Sequence, residues 1–389
     1  MTGGARIVAT LATEEHAKAI AAFYRETWDA AATSESVVIA MRQASASNVA
    51  DPGRYPPTAL IVEGTRIIGF CGSMPQRLWD GTEERSAYWV KGLMVLPEYR
   101  NGPVGYLAVK EVIRHLPRST ILTVAPAARR LFAALGFRDL GAVPNWVRPL
   151  RPGAMVNQLD LDALGLGKLP AWIGTSVRAA RRSGIAGFAG GAAGWLADGL
   201  VALARLPATH LQTDRALPSR GELDALWREA RSGITASPVR DASYLVPRFE
   251  DFLDEAGQRP YRFVAARKRG RLVGVAALRK PSATSDPRLG GVRVATISDI
   301  VFPPNRTDAG LAVLGAVERA ARDAGADALT CMTSHPALAL LLRRQGYLRL
   351  AGNVHFFLRD VTDGGADRWP ADLQSWWLAR GDGESDGSF

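Results

Sequence analysis

The sequence predicts a mixed α/β (α+β) fold of two similar domains, each a mixed, mostly antiparallel sheet flanked by helices. The chain has 389 residues, which is too many for one ordinary core and suits two domains of about 150 residues each plus a connection. A weak internal repeat relates the first 150 residues to those after residue 217. Because strands and helices alternate in both halves, we expect the helices to cover the sheets.

Each copy opens with a predicted helix followed by two strands. The first strand is an apolar segment that follows a polar turn and contains a glycine, and the second ends in proline and then arginine. The helices are expected around 14–28 and 219–232, the first strands at 66–72 (RIIGFCG) and 271–277 (RLVGVAA), and the second strands within 94–100 (MVLPEYR) and 300–306 (IVFPPNR). The shared order of strand, proline and arginine indicates a duplication.

The rest of each copy alternates helix, strand, helix and strand. A helical period of apolar residues ends at Pro117 in the first copy and at Gly325 in the second, and short strands follow at 120–124 and 328–332. Proline then suits the first turn of another helix, and a glycine ends that helix ten residues later. These pairs are Pro126 with Gly136 and Pro336 with Gly346.

The repeat divides the chain into four parts. They are an N-terminal domain at 1–150, a connecting segment at 151–216, a C-terminal domain at 217–361 and a tail at 362–389. The connection contains a basic run and an Ala/Gly/Leu-rich stretch within 178–206. We expect helices packed at the domain junction there. The alternatives are a basic segment in peripheral contact with a membrane surface and a membrane span.

Composition narrows the class of protein. Apolar residues make up 47% of the chain and charged residues 22%, as in ordinary soluble globular proteins. The two cysteines, Cys71 and Cys331, are too few for a disulfide framework and lack metal-ligand spacing, so we expect a reducing compartment and no metal site. The N-terminus has no apolar segment behind a basic start, which favours the cytoplasm. The net charge of +10 fits either an anionic partner or a solvated basic surface.

The segment 95–106 (VLPEYRNGPVGY) carries the main functional signal. A strand delivers its backbone to a turn, and the next helix presents free N–H groups and the positive end of its dipole to phosphate oxygens. Arg100 adds a fixed charge. The segment resembles the acyl-CoA pyrophosphate loop of the GNAT superfamily, in which Arg100 and Gly105 match the usual pattern. Pro103 replaces the first glycine of that pattern, and Gly102 beside it supplies flexibility.

The resemblance implies acetyl-CoA or another acyl-CoA as co-substrate. The implied cofactor-binding residues are Leu93, Met94, Val95, Arg100, Asn101, Gly102, Val104, Gly105 and Tyr106. In the superfamily, a backbone N–H of the strand before the loop polarises the thioester carbonyl, and a neutral amine attacks it. The tandem arrangement is similar to GNAT-like proteins of polysaccharide or natural-product biosynthesis.

The chemistry also needs a base for the amine and an acid for the departing thiolate. The candidate catalytic residues near the expected cleft are Tyr88 and Lys91 on the strand and Glu98 in the loop. The structural alternatives are packing for Tyr88, a surface or substrate-binding charge for Lys91 and a solvated turn for Glu98. Many superfamily members have an acid tyrosine at the position of Phe132, which we expect to be a core residue here, so the acid must come from elsewhere.

The second copy is expected to bind CoA poorly and to serve structure or acceptor recognition. It retains Arg306 and Gly310, but Asp308 lies where phosphates would bind and would repel them. Asp299, on a buried strand, is a candidate ligand for an acceptor amine. In the tail, Trp376 and its aromatic neighbour either anchor the tail to a domain or stack on a sugar.

Three functions remain open. The first is an acyl-CoA-dependent N-acyltransferase that acetylates the amine of a small molecule, such as an amino sugar or sugar nucleotide. The second is a Fem-type aminoacyl transferase that uses charged tRNA, and the basic net charge fits such a partner. The sequence lacks the pattern of the long charged helical hairpin of that type, so we do not expect nucleic acid as a partner. The third is a non-catalytic protein that binds CoA or another ligand.

Overall fold

The structure, a computed structural model, describes residues 6–123, 126–151, 210–254, 257–283 and 291–383. The chain forms two compact units. Unit 1 contains residues 1–141 and 354–371, and unit 2 contains residues 142–353 and 372–389.

The described strands and helices are numbered in chain order. The strands are β1 (Ile7–Leu11), β2 (Ala59–Glu63), β3 (Arg66–Trp79), β4 (Glu84–Val95), β5 (Arg118–Thr123), β6 (Arg138–Pro149), β7 (Gln212–Asp214), β8 (Ser237–Pro238), β9 (Tyr261–Lys268), β10 (Arg271–Ala283), β11 (Arg293–Val301), β12 (Ala328–Met332) and β13 (Leu348–Asp360). The helices are α1 (Ala17–Thr27), α2 (Ser34–Ala46), α3 (Val104–Ile113), α4 (Pro126–Ala134), α5 (Arg220–Ala230), α6 (Ala242–Leu245), α7 (Thr307–Asp323), α8 (Pro336–Arg344) and α9 (Gly365–Arg368).

The two sheets have the same plan. In unit 1 the strands lie in the order β1-β2-β3-β4-β5-β13, and β4 with β5 is the parallel pair. In unit 2 the order is β6-β12-β11-β10-β9-β7, and β12 with β11 is the parallel pair. The neighbouring strands are otherwise antiparallel, which confirms the predicted mixed, mostly antiparallel sheets.

The last strand of each sheet comes from the other half of the sequence. β6 begins in unit 1, but its residues 142–149 belong to unit 2, where residues 145–149 pair with β12. β13 belongs by sequence to the second copy, but its residues 354–360 belong to unit 1, where they pair with β5. The compact units therefore cut across the sequence copies at 1–150 and 217–361, whose boundaries stay a prediction.

A buried ion pair holds β13 in unit 1. Arg118 of β5 donates from Nε to the Asp360 carboxylate at 2.6 Å, and the Asp360 side chain has no exposed surface. The same carboxylate accepts hydrogen bonds from Thr362 and from the Trp369 indole. Because a buried carboxylate needs several donors, this set of contacts specifies how β13 pairs.

Helices cover both faces of the unit 1 sheet at β3. A Cβ on Gly69 would overlap Val104, so glycine is needed for the close approach of α3. The next residue, Phe70, points to the opposite face because side chains alternate along a strand. It stacks on Phe23 of α1 with ring centroids 6.2 Å apart. The sheet of unit 1 is thus packed between α1 and α3.

Most of the elements predicted from the sequence are confirmed. The initial helices around 14–28 and 219–232 are α1 and α5, and α4 and α8 begin at Pro126 and Pro336. The stretch 178–206 lies outside the described residues. In the described part of the chain, no helix is long and apolar enough to cross a membrane.

Candidate active site

A wedge opens in the unit 1 sheet between β4 and β5. Tyr88 pairs with Ser119 and Trp89 with Thr120, and both strands then continue without further pairing to each other. Backbone N–H and C=O groups along the two facing edges are therefore left without a neighbouring strand. Such an opening can accept an extended ligand chain, because the ligand can use the unpaired backbone groups.

A β-bulge in β4 lies at this wedge. Phe70 of β3 pairs with Met94, and Gly72 pairs with Lys91, so β4 has one more residue than β3 between these pairs. Gly92, inside the bulge, has a φ of +60°, a conformation that favours glycine. A bulge bends its strand and redirects its backbone groups.

The backbone of β4 beyond the bulge faces the wedge at alternate residues. The Leu96 N–H donates to the Ile68 carbonyl of β3 at 3.1 Å. Because backbone groups alternate in direction along an antiparallel strand, those of the adjacent residue Val95 point the other way, towards the wedge. The Val95 carbonyl there accepts a hydrogen bond from Arg100 Nε at 3.2 Å. Leu93 lies inside the bulge, where the register of β4 against β3 shifts, so the alternation does not fix the direction of its N–H.

The loop after β4 leads to a helix N-terminus without a side-chain cap. The N-cap residue of α3 is Pro103, which makes no capping hydrogen bond. The first intrahelical hydrogen bond runs from the Leu107 N–H to the Pro103 carbonyl. The N–H groups of Val104, Gly105 and Tyr106 therefore have no acceptor within the helix. Free donors at the positive end of a helix dipole form a site for anions.

The glycines of the loop leave room for a diphosphate. A Cβ on Gly102 would lie 3.4 Å from the Tyr99 carbonyl oxygen, and one on Gly105 would lie 3.7 Å from Val95 Cγ2. These are ordinary contacts, so packing does not demand glycine at either position. Arg100 is exposed, and within the described residues its terminal guanidinium nitrogens bind no other side chain. The loop residues therefore fit the diphosphate of CoA.

Comparison with known protein families decides the class of this unit. The profile of the "Acetyltransferase (GNAT) family" matches residues 9–137, which contain the wedge, the bulge and the loop. Residues 9–137 are a GNAT acetyltransferase domain. No curated protein sequence matches the chain.

Solved structures have a similar fold over almost the whole chain. A GCN5-related N-acetyltransferase from Anabaena variabilis is 14% identical, with a TM-score of 0.57 over 92% of this chain and 74% of that one. One from Kribbella flavida is 15% identical, with a TM-score of 0.52 over 91% and 71%. N-myristoyltransferase from Saccharomyces cerevisiae, solved with myristoyl-CoA and inhibitors, is 11% identical, with a TM-score of 0.52 over 91% and 80%. The family match and the fold give the enzyme class, a GNAT-type acyltransferase.

Tyr88 of the GNAT domain lies where β4 and β5 begin to separate. Its side chain is buried, and burial followed by the nearby Asp51 carboxylate raises the pKa of its hydroxyl, while a hydrogen bond with Asn48 opposes the shift. The hydroxyl is therefore neutral at physiological pH. It can donate a proton, but as a neutral phenol it is a poor base.

The other predicted catalytic side chains lie at or near the surface. Lys91 is partly exposed, one residue before the bulge. Glu98 is exposed and forms an ion pair with Arg66 at 3.1 Å, which favours its alternative role as a solvated turn residue. Phe132 is buried and packs on Phe137 with ring centroids 5.6 Å apart, which confirms it as a core residue.

The equivalent loop in unit 2 is closed by its own side chains. Arg306 donates from Nε and Nη2 to the two carboxylate oxygens of Asp308, each at 2.8 Å. This pair, together with a hydrogen bond from the Ala309 N–H, lowers the pKa of Asp308 to about 2. A Cβ on Gly310 would overlap Leu341, so the space beside this glycine is filled. A carboxylate thus occupies the helix start where a phosphate would bind.

The C-terminal tail lies along the free edge of β11 in unit 2. The Trp377 indole donates to the Ile300 carbonyl at 3.1 Å, and the Gly381 N–H donates to the Ser298 carbonyl at 2.6 Å. Both acceptors lie beyond Ile297, the last residue of β11 that pairs with β12. The tail therefore fills the position in unit 2 that corresponds to the open wedge of unit 1. Trp377 is buried, which confirms the anchoring role of the tail aromatics.

A buried charged network fastens this tail. Arg240 donates to Asp299 at 2.8 Å and to Asp382 of the tail at 2.7 Å, and none of the three side chains has exposed surface. Tyr244 also donates to Asp382, at 3.0 Å. Burial raises the pKa of Asp299 to about 6. Because Asp299 has no exposed surface, an acceptor amine has no access to it.

His335 makes the stability of unit 2 depend on pH. Its Nδ1 accepts a hydrogen bond from the Ala337 N–H at the start of α8, and its ring lies 4.7 Å from that of Trp377. Burial lowers its pKa from 6.5 to about 4. As the pH falls, His335 is therefore protonated in the unfolded chain before it is protonated in the folded protein. Its contribution to the free energy of unfolding is complete above pH 6.5 and is lost as the pH falls towards 4. We expect a loss of about 2–3 kcal/mol.

The measurement is denaturant unfolding between pH 4 and 7. His335→Asn is the matched control, because asparagine also caps a helix but does not titrate in this range. The difference between the two proteins in the pH dependence of the free energy of unfolding is due to His335. Asp299 is present in both proteins, and its effect on that free energy changes with pH in the opposite direction over the same range. Parallel pH curves for wild type and variant would contradict the assignment.

Proposed function

We propose that the chain is an acyl-CoA-dependent N-acyltransferase that transfers an acetyl group to the amine of a small molecule, with the acyl-CoA bound in unit 1. The observation that carries the proposal is the open anion site formed by Arg100 and the free N–H groups at the start of α3. The wedge begins directly before this site, so a pantetheine arm can run along β4 while its diphosphate binds the helix.

The residues of β4 would bind and orient the thioester. The Leu93 N–H, which belongs to the bulge beside the wedge, would donate to the thioester carbonyl and stabilise the negative charge that forms on its oxygen. A neutral amine then attacks the carbonyl carbon directly. The N–H groups at the start of α3 and Arg100 would hold the diphosphate of the ligand in place.

An exposed aromatic pair supports a cationic acceptor such as an amino sugar. Trp28, at the end of α1, is 64% exposed and stacks on Tyr24 with ring centroids 5.0 Å apart and an angle of 7°. Tyr24 in turn contacts Phe70 edge-on, and Phe70 pairs with Met94 of β4. The free face of an indole attracts an ammonium group. We expect this chemistry in the cytoplasm, where the two buried free cysteines would stay reduced.

The closed loop of unit 2 supports one acyl-CoA per chain. Asp308 neutralises Arg306 there, and the tail takes the place of a ligand beside β11. Unit 2 then serves structure or acceptor recognition. The Fem-type and non-catalytic alternatives remain outcomes of the test.

Calorimetric titration with acetyl-CoA tests the proposal. We expect one site per chain in the wild type. In Arg100→Gln we expect about 10–100-fold weaker binding, because a charge-assisted hydrogen bond to phosphate is lost, and in Arg100→Glu no detectable binding. Arg100 is exposed, so its variants should melt at the wild-type temperature.

Arg306→Gln is the matched control, since it removes the corresponding arginine of unit 2. We expect it to bind acetyl-CoA as the wild type does. Weaker binding in Arg306→Gln alone would place the ligand in unit 2. Binding of tRNA without acetyl-CoA would support the Fem-type function, and binding of acetyl-CoA without turnover of any amine would support the non-catalytic one.

A further inference from the structure

A histidine–aspartate pair lies in unit 1 outside the residues assigned so far. His355 Nδ1 lies 3.0 Å and 3.1 Å from the two carboxylate oxygens of Asp139. A carboxylate can only accept a hydrogen bond, so Nδ1 carries the proton. In the neutral ring Nε2 is then the unprotonated nitrogen, and the described residues offer it no hydrogen-bond partner. The side chain keeps 16% of its surface exposed.

The exchanged strand puts this histidine beside the wedge. His355 is on β13, where it pairs with Thr123 of β5. Thr123 lies three residues beyond Thr120, the last residue of β5 that pairs with β4, and Gly92 lies three residues beyond the matching Trp89. Because parallel strands advance equally, His355 is level with the bulge. A single strand, β5, therefore separates His355 from the position in the wedge that we assign to the thioester.

The surroundings of His355 suit an acid–base group. Its ring centroid lies 6.3 Å from that of Phe357, which packs on Phe132 of α4 at 5.8 Å. Among the described residues, Arg129 of α4 is the charged group that contacts the pair, 3.7 Å from the carboxylate of Asp139 on β6. The aspartate fixes the tautomer and orientation of the ring.

We propose that His355 is the general base of the acyl transfer, oriented by Asp139. The inference rests on the proposed function of unit 1. As the amine nitrogen bonds to the thioester carbon, its N–H proton passes to His355 Nε2, directly or through one water. The C–S bond then breaks with its electron pair on sulfur, and the imidazolium returns the same proton to the thiolate. The products are the amide and the free thiol, and His355 is again neutral.

Affinity labelling with bromoacetyl-CoA tests where His355 lies. This thioester carries an electrophilic carbon at the acyl position, so a neighbouring imidazole forms an N–C bond to it and releases bromide. We expect peptide mapping by mass spectrometry to find the label on Nε2 of His355, and excess acetyl-CoA to protect it. His115 is the matched control, because its ring also contacts a carboxylate, Glu111 at 3.3 Å, but it is exposed and lies just after the end of α3.

Kinetics test what His355 does. Thiol release from acetyl-CoA is followed with glucosamine as acceptor and, separately, with water as the acceptor. In His355→Gln we expect kcat to fall by about 10²–10³-fold with an unchanged Kd for acetyl-CoA, since base catalysis contributes about that much. His355→Ala should regain activity with added imidazole, which a purely structural role would not allow. Asp139→Asn, a change in a positioning residue, should lower kcat while the label still reaches His355.

The outcomes separate this inference from the function of unit 1. If wild-type protein binds acetyl-CoA and releases thiol, but His355→Gln keeps its kcat and the label goes elsewhere, the base is a different group and the function stands. If acetyl-CoA does not bind at all, the proposed function fails first. Normal activity in His115→Gln is the expected control result in either case.

Discussion

A chain that stops at Asn353 should bind no acyl-CoA, although it keeps all of residues 9–137. The truncation removes the part of β13 from residue 354 onwards, so β5 loses its antiparallel partner along its entire length. It also removes Phe356 and Phe357, which are fully buried, and it leaves the buried Arg118 without Asp360. Each of these losses alone is worth several kcal/mol. Since a domain is stable by about 5–15 kcal/mol, unit 1 should not fold.

Circular dichroism, thermal melting and acetyl-CoA titration measure this result. The control is a chain that stops after Gly383 and so keeps every residue of β13 and the described tail. We expect it to melt and bind as the full chain does. If the chain ending at Asn353 bound acetyl-CoA normally, the exchange of β13 into unit 1 would be wrong.

Arg240→Met should lower the free energy of unfolding by about 3–5 kcal/mol, because it leaves two buried carboxylates without their cation. These are Asp299 and Asp382, which have no exposed surface and lie 2.8 Å and 2.7 Å from the guanidinium. Methionine has a similar length, so little packing is lost. The tail should detach from β11 in this variant and become accessible to proteases.

Denaturant unfolding gives the free energy, and limited proteolysis gives the state of the tail. The informative comparison is the triple variant Arg240→Met, Asp299→Asn, Asp382→Asn, which removes the uncompensated charge as well as the cation. It should recover a large part of the lost stability. Equal stability of the single variant and the wild type would show that the network does not hold the tail.

Local sequence patterns predicted the elements whose ends depend on the backbone preferences of a few neighbouring residues. Pro126 and Pro336 start helices because their ring suits the first turn, and Gly136 and Gly346 end them with a positive φ of 82° and 75°. The loop between β4 and α3 was predictable for the same reason. Its charge, glycines and helix start lie within a few consecutive residues, and their joint geometry follows from strand–turn–helix connection alone.

The parts that the sequence did not reveal depend on contacts between distant residues. β13 reads as the last strand of the second copy, and nothing local in it says that it pairs with β5. The same exchange brings His355 to Asp139, 216 positions apart in the sequence, so no motif spacing could have suggested the pair. The candidate role of Asp299 as a ligand for an acceptor amine is wrong for the same reason, because its partner Arg240 lies 59 positions away in the sequence.

The exchanged strand also decides when the protein can become active during its synthesis. Arg118 and Asp360 are 242 positions apart, so at about 5–20 residues per second a ribosome needs roughly 10–50 s to supply β13 after β5 has been made. Throughout that time the nascent GNAT domain has an unpaired strand edge, which invites aggregation. The unit encoded first thus stays incomplete until nearly the whole chain has been made, and a prematurely released chain would carry the anion-binding loop but not a working enzyme.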